Sequence, residues 1–67
     1  MEFCKRFNEV LKTSGKKQTE IAREVGVSKQ CISDYKSGKS VPSLETLFLI
    51  CRSLEVSSDY LLGLSDE

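Results

Sequence analysis

The chain has no histidine, and so lacks the commonest metal ligand and the one side chain whose ordinary pKa suits proton exchange near neutrality. Its three cysteines, Cys4, Cys31 and Cys51, are an odd number without a C-x-x-C pair, which argues against both a disulfide framework and a zinc site. A reducing cytoplasm fits that usage best. No apolar run approaches the ~18 residues of a membrane span, and the opening MEFCKRFNEV lacks the continuous apolar core of a signal peptide. Repeats, linkers and low-complexity stretches are missing as well. These absences lead us to expect no enzyme, no cofactor, no metal site and no membrane association. Aromatic residues are few, and Phe3, Phe7, Tyr35 and Phe48 read as core, because a base-stacking platform would need exposed rings on a basic groove. With 67 residues there is room for one domain, residues 1–67, and only the closing Ser65, Asp66 and Glu67 read as disordered. A chain this short buries only about 60% of the surface it exposes when unfolded, so modest stability is expected unless it dimerises.

Net charge is zero, but its distribution is uneven. From Lys12 to Lys39 seven basic residues stand against three acidic ones, a local charge of +4, whereas Ser40 to Glu67 holds one arginine against five carboxylates, −4. The folded molecule should therefore be polarised, with its positive side where the segment 12–39 lies.

Within that segment the residues QTEIAREVGVSKQCISDYKS, Gln18 to Ser37, form a joint pattern. Two helices that cross steeply over a short turn need a small side chain where their backbones approach, and Ala22 supplies it. Gly26 follows the first helix, where the chain must turn through a left-handed conformation that glycine adopts without steric cost. Ile21, Val25, Val27, Ile32 and Tyr35 fall on inner faces. Ser28, Lys29, Gln30, Ser33, Asp34 and Ser37 remain on the outer face of the second helix. An ordinary amphipathic hairpin would match a few of these positions; the match across seven or eight favours a helix-turn-helix.

Spacing and punctuation predict five helices, hence an all-α fold. Phe3, Phe7, Val10 and Leu11 recur at helical intervals before Gly15. The second helix begins near Gln18, with Glu20 favourably placed in its first turn. Ser28 caps the third and Gly38 ends it. Ser43 caps a fourth helix carrying Leu44, Leu47, Phe48, Ile50, Cys51 and Leu54. Ser57 opens a short fifth with Tyr60, Leu61 and Leu62, closed by Gly63.

The whole run from Phe3 to Leu64, through ISDYKSGKSVPSLETLFLICRSLEVSSDYLLG, resembles the Xre/Cro family of DNA-binding domains, which includes the lambdoid phage repressors. The resemblance implies a compact five-helix, lambda-repressor-like domain that binds double-stranded DNA. Its bearer would be a sequence-specific transcriptional regulator, acting as a repressor, with its third helix in the major groove of a palindromic operator. The rival is a protein-interaction module, antitoxin-like or antirepressor-like, that keeps the shape and contacts protein.

Carried onto this chain, the resemblance assigns base contacts to Lys29 and Gln30, with Ser33 and Asp34 one turn further on. A glutamine amide suits the N6 and N7 edge of adenine; lysine suits guanine or a phosphate. For Asp34, which phosphates repel unless it accepts from cytosine, pairing with Lys29 or a neighbouring lysine is the better expectation. Phosphate contacts are expected from Lys17, Gln18, Ser28, Lys36, Lys39 and Ser40. Around Lys39 and Ser40 the family uses backbone N–H groups as well as side chains. Binding as a homodimer is expected, at least on DNA, with Leu61, Leu62 and Leu64 as interface candidates. Cys31 lies inside the recognition helix, where a buried inert thiol is expected in place of a redox sensor.

The chain departs from the family in three respects. Leu11 and Lys36 stand where many members pair arginine with glutamate. Lys16 and Lys17 replace an apolar residue and a Ser/Thr cap, a loss of about 1 kcal/mol expected to be accompanied by a stronger phosphate-facing field. Glu55 stands where glycine often ends the fourth helix, which predicts slight strain or a different turn.

Overall fold

The computed structural model describes all 67 residues and folds them around five helices: α1 (Phe3–Ser14), α2 (Gln18–Val25), α3 (Lys29–Ser37), α4 (Leu44–Leu54) and α5 (Ser58–Leu62). Three of them begin as their sequences dictate. The hydroxyls of Ser28, Ser43 and Ser57 accept from the backbone N–H of Cys31, Thr46 and Tyr60, respectively, and so satisfy donors that the start of a helix leaves free. The Lys17 side chain has no oxygen to offer α2. There the Glu20 carboxylate reaches back to accept from the Lys17 backbone N–H at 3.3 Å, which supplies half of a capping box from the other end.

Ala22 is buried, and its carbonyl oxygen accepts from both Gly26 N, at 2.9 Å, and Val27 N, at 3.0 Å. Gly26 sits at φ 80°, a left-handed conformation, so the chain reverses within the three residues Gly26–Ser28 and enters α3. The helix-turn-helix packs on the other three helices: α2 lies against α4, α1 spans α3 and α5, and Phe3, Phe7, Ile21, Ile32, Ile50 and Leu61 fill the centre. Phe3 stacks on Phe7 with ring centroids 5.1 Å apart, and the Tyr35 ring meets both edge-on at 6.2 Å. These aromatic contacts fasten α1 to α3.

Arg6 ties α1 to the chain's end. Its guanidinium donates to the carbonyls of Tyr60 and Ser65 at 3.0 and 2.6 Å, lies 4.5 Å from the Tyr60 ring centroid and pairs with Glu2 and Asp66 at 3.6 Å. The Ser57 hydroxyl donates to the Glu67 carbonyl at 2.7 Å. Ser65 and Asp66 thus make polar contacts with α1, and Glu67 with the start of α5.

Phe48 does not join the core. It is 58% exposed on α4, with Leu44 at 84%, because the inward stripe of that helix is taken by Leu47, Ile50 and Leu54. Leu44, Leu47, Phe48, Cys51, Val56 and Leu62 line a shallow groove of about 640 Å³ between α4 and α5.

No helix is long and apolar enough to cross a membrane. At the end of α4, Glu55 adopts φ 56° and ψ 47°, and it is the one residue other than glycine with a positive φ. A side chain in that conformation costs about 1–2 kcal/mol, of which glycine's greater freedom in the unfolded chain returns a part. Glu55→Gly is therefore expected to stabilise the domain by about 1 kcal/mol, raising the melting temperature by about 4–8 °C in a domain of this size. Thermal unfolding followed by circular dichroism checks this, and an unchanged or lower midpoint would show that the turn carries no strain.

Candidate nucleic-acid interface

The outer surface of the helix-turn-helix holds the residues expected to act together. Ser28, Lys29 and Gln30 are exposed at the start of α3, while Ser33 and Asp34, one turn on, are half-buried. Lys17, Lys36, Lys39 and Ser40 are all exposed around them. None of Lys17, Lys29, Lys36 or Lys39 is in an ion pair; the three in the molecule belong to Arg6 and Lys16. Four ammonium groups are thus left without a carboxylate partner, the condition a polyanion would exploit.

Gln18 is the hub that joins the two motif helices. Its amide nitrogen donates to Ser33 Oγ at 2.6 Å and to the Lys29 carbonyl at 3.2 Å, and its amide oxygen accepts from Lys36 Nζ at 3.4 Å. The structure therefore brings Gln18, Ser33 and Lys36, which the sequence separates into phosphate and base roles, into one network. In this arrangement the Ser33 hydroxyl serves Gln18 first. Ser28 acts as the cap, its Oγ 3.0 Å from Cys31 N. Cys31 is half-buried, with its side chain packed against the core.

Asp34 takes a different partner from the lysine expected. Its Oδ1 accepts from Gln30 Nε2 at 3.0 Å, four residues earlier on the same helix face. Neighbouring backbone accounts for a second difference. The N–H groups of Gly38, Lys39 and Ser40 all turn into the Asp34 carbonyl, at 2.9 Å for Lys39 and 3.3 Å for Ser40. What remains outward at this end of α3 is the Lys39 ammonium and the Ser40 hydroxyl.

Lys16 leaves the field it was expected to strengthen. Its ammonium donates to Glu24 at 2.8 Å and to the Ser53 carbonyl at 3.0 Å, and Ser53 Oγ donates to the same Glu24 oxygen at 2.5 Å. The side chain is used to bind the loop before α2 to α4. Leu11 is buried, as an apolar replacement for a paired charge must be, and no buried polar side-chain atom is left unsatisfied. In place of the missing ion pair, Asn8 Nδ2 and Cys4 Sγ donate to the Lys36 carbonyl at 2.8 and 3.0 Å and hold α1 to the last turn of α3.

Asn8 and Lys12 are not among the residues expected to contact DNA. Both line a polar recess of about 360 Å³ with Leu11, Lys16, Gln18 and Lys36. Lys12 opens the positively charged segment 12–39 and stands in the last turn of α1, whereas the sequence around Asn8 carries no comparable signal.

The helix-turn-helix family model matches residues 8–61 of the chain. Two curated relatives are similar over nearly all of it. One is an uncharacterized HTH-type transcriptional regulator, YobD, of Bacillus subtilis, 29% identical over 97% of this chain and 58% of its own length. The other is the cryptic phage CTXphi transcriptional repressor RstR of Vibrio cholerae serotype O1, 35% identical over 94% of this chain and 56% of its own length. No solved structure gives a significant match. The chain belongs to the Xre-type helix-turn-helix family, and it spans somewhat more than half the length of these relatives.

The Lys16 ammonium, then the Ser53 hydroxyl, hold the Glu24 carboxyl below the ordinary glutamate value of 4.5. A carboxyl whose pKa is lower folded than unfolded adds stability above its unfolded value, and that contribution is lost as pH falls through the folded value. Wild type should therefore exceed Glu24→Gln in urea stability at neutral pH, with the gap closing below about pH 4.5. A gap that stays constant from neutral to acid pH would rule out this linkage.

Proposed function

We propose that this chain is a sequence-specific regulator of transcription that binds double-stranded DNA and acts as a repressor. The observation that carries this reading is the outward first turn of α3, Ser28, Lys29 and Gln30, flanked by the unpaired ammonium groups of Lys17, Lys36 and Lys39. A helix so placed enters the major groove, with Gln30 reading adenine and Lys29 reaching guanine or phosphate. Gln18, already oriented by Ser33, presents the start of α2 to a backbone phosphate. Lys39 and Ser40 hold a second phosphate by their side chains. Repression is supported by the phage repressor among the relatives.

One recognition helix covers only a few base pairs, and a palindromic operator presents half-sites about 34 Å apart, so the binding form is a symmetric dimer. Leu61 is wholly buried inside its own protomer and has no surface to offer. Leu62 is half-buried and lines the α4–α5 groove, and Leu64, two residues on, is 76% exposed. The interface therefore centres on Leu44, Phe48, Leu62 and Leu64 from both copies.

Titration of duplex DNA at rising salt tests the central claim. Contact with about six phosphates loses roughly a thousandfold in affinity between about 50 and 200 mM salt. Lys39→Ala should weaken all sequences alike, and Gln30→Ala should relax choice at one base pair. The reverse pattern would overturn the roles, and salt-insensitive binding to a protein with none to DNA would favour an interaction module. Phe48→Glu, a change on exposed surface, should leave the melting temperature nearly unchanged and shift sedimentation on operator DNA from two copies to one. A dimer that survives it lies elsewhere.

A further inference from the structure

The Asp34 carboxylate is anomalous. It stands on the face that would meet phosphates, one turn from the start of α3, yet it has no cationic partner and is bonded only to an uncharged amide. We infer that Asp34 is a positioning residue that sets the base preference of Gln30, restricting it to adenine and excluding guanine. The inference rests on the DNA-binding reading above.

The chemistry follows from what each group can donate. An ionised carboxylate only accepts, whereas an amide has an accepting end and a donating end. Held 3.0 Å from Asp34 Oδ1, the Gln30 amide must turn its nitrogen towards the carboxylate and its oxygen away. One N–H is then occupied, and the outer edge presents one acceptor, Oε1, beside one remaining N–H. That pair complements adenine, which offers the N6 amino donor next to the N7 acceptor. Guanine offers two acceptors, O6 and N7, and needs two donors from the protein. A free glutamine could supply them by turning its amide so that both N–H bonds face the base; here one of them is held by Asp34. Guanine O6 would meet Oε1, oxygen against oxygen, with a carboxylate behind. The cost of keeping a negative charge near phosphates thus has a return in selectivity.

Asp34 is half-buried and Gln30 exposed, and neither is in the core, so their replacement leaves the fold in place. The test is selection of bound sites from random duplex DNA by wild type, Asp34→Ala, Gln30→Ala and the double variant, each followed by titration at fixed salt. Wild type should favour adenine at one position of each half-site. Asp34→Ala should bind every sequence somewhat more tightly, having lost a repelled charge, and should admit guanine at that same position, with discrimination falling on the order of tenfold. In the double variant the preference at that position should match Gln30→Ala alone, because Asp34 acts through Gln30. Uniformly tighter binding by Asp34→Ala with base preferences unchanged would overturn the inference, as would a wild-type preference for guanine or an additive double variant. Failure of the underlying reading looks different: no sequence is enriched by wild type, and no salt-dependent binding is seen with any variant.

Discussion

The short reversal at Ala22 governs the rest of the molecule. One carbonyl oxygen receives two backbone donors, Gly26 N and Val27 N, so the chain leaves α2 and enters α3 with little angular freedom. A side chain larger than a methyl at position 22 would push the two helices apart, since Ala22 is already buried at their approach. That fixed angle puts the first turn of α3 outside and Ile32 and Tyr35 inside. The other helices serve as a platform for this element. Their aromatic and aliphatic side chains fill the concave side of the hairpin, which two helices alone could not keep dry.

Polar contacts refine what the packing positions. Gln18 bridges α2 to α3, Asn8 and Cys4 bridge α1 to α3, and Lys16 with Glu24 and Ser53 bridges the α1–α2 loop to α4. Each bridge uses a backbone carbonyl or a neutral partner on at least one side. Positive charge is thereby left outward at Lys17, Lys29, Lys36 and Lys39. Half of a family-typical ion pair would have stranded a charge; this chain has neither half and leaves no buried side-chain polar atom unsatisfied.

Much of this was legible in the sequence because helices begin and end by local rules. Ser28, Ser43 and Ser57 cap where a hydroxyl precedes an amphipathic run, and the glycines stop helices where the chain must turn. The family and the outward first turn of α3 followed from the same pattern. What was not legible depended on lateral neighbours. Phe48 and Ile50 lie on opposite faces of α4, and periodicity alone does not tell that the Ile50 face turns inward. Leu61 and Leu64 are both leucines three residues apart, but Gly63 turns the chain between them, so one is buried and the other exposed. Lys16 and Asp34 found partners, Ser53 and Gln30, that no charge count would nominate.

Arg6 gathers α1 and α5, which are far apart in sequence, around one side chain. Through Glu2, Tyr60, Ser65 and Asp66 a single guanidinium stands at the junction of the opening turn and the closing one. Opening of the first turn of α1 and opening of α5 break the same set of bonds, so amide exchange in these two elements would proceed as one event, not as two independent ones.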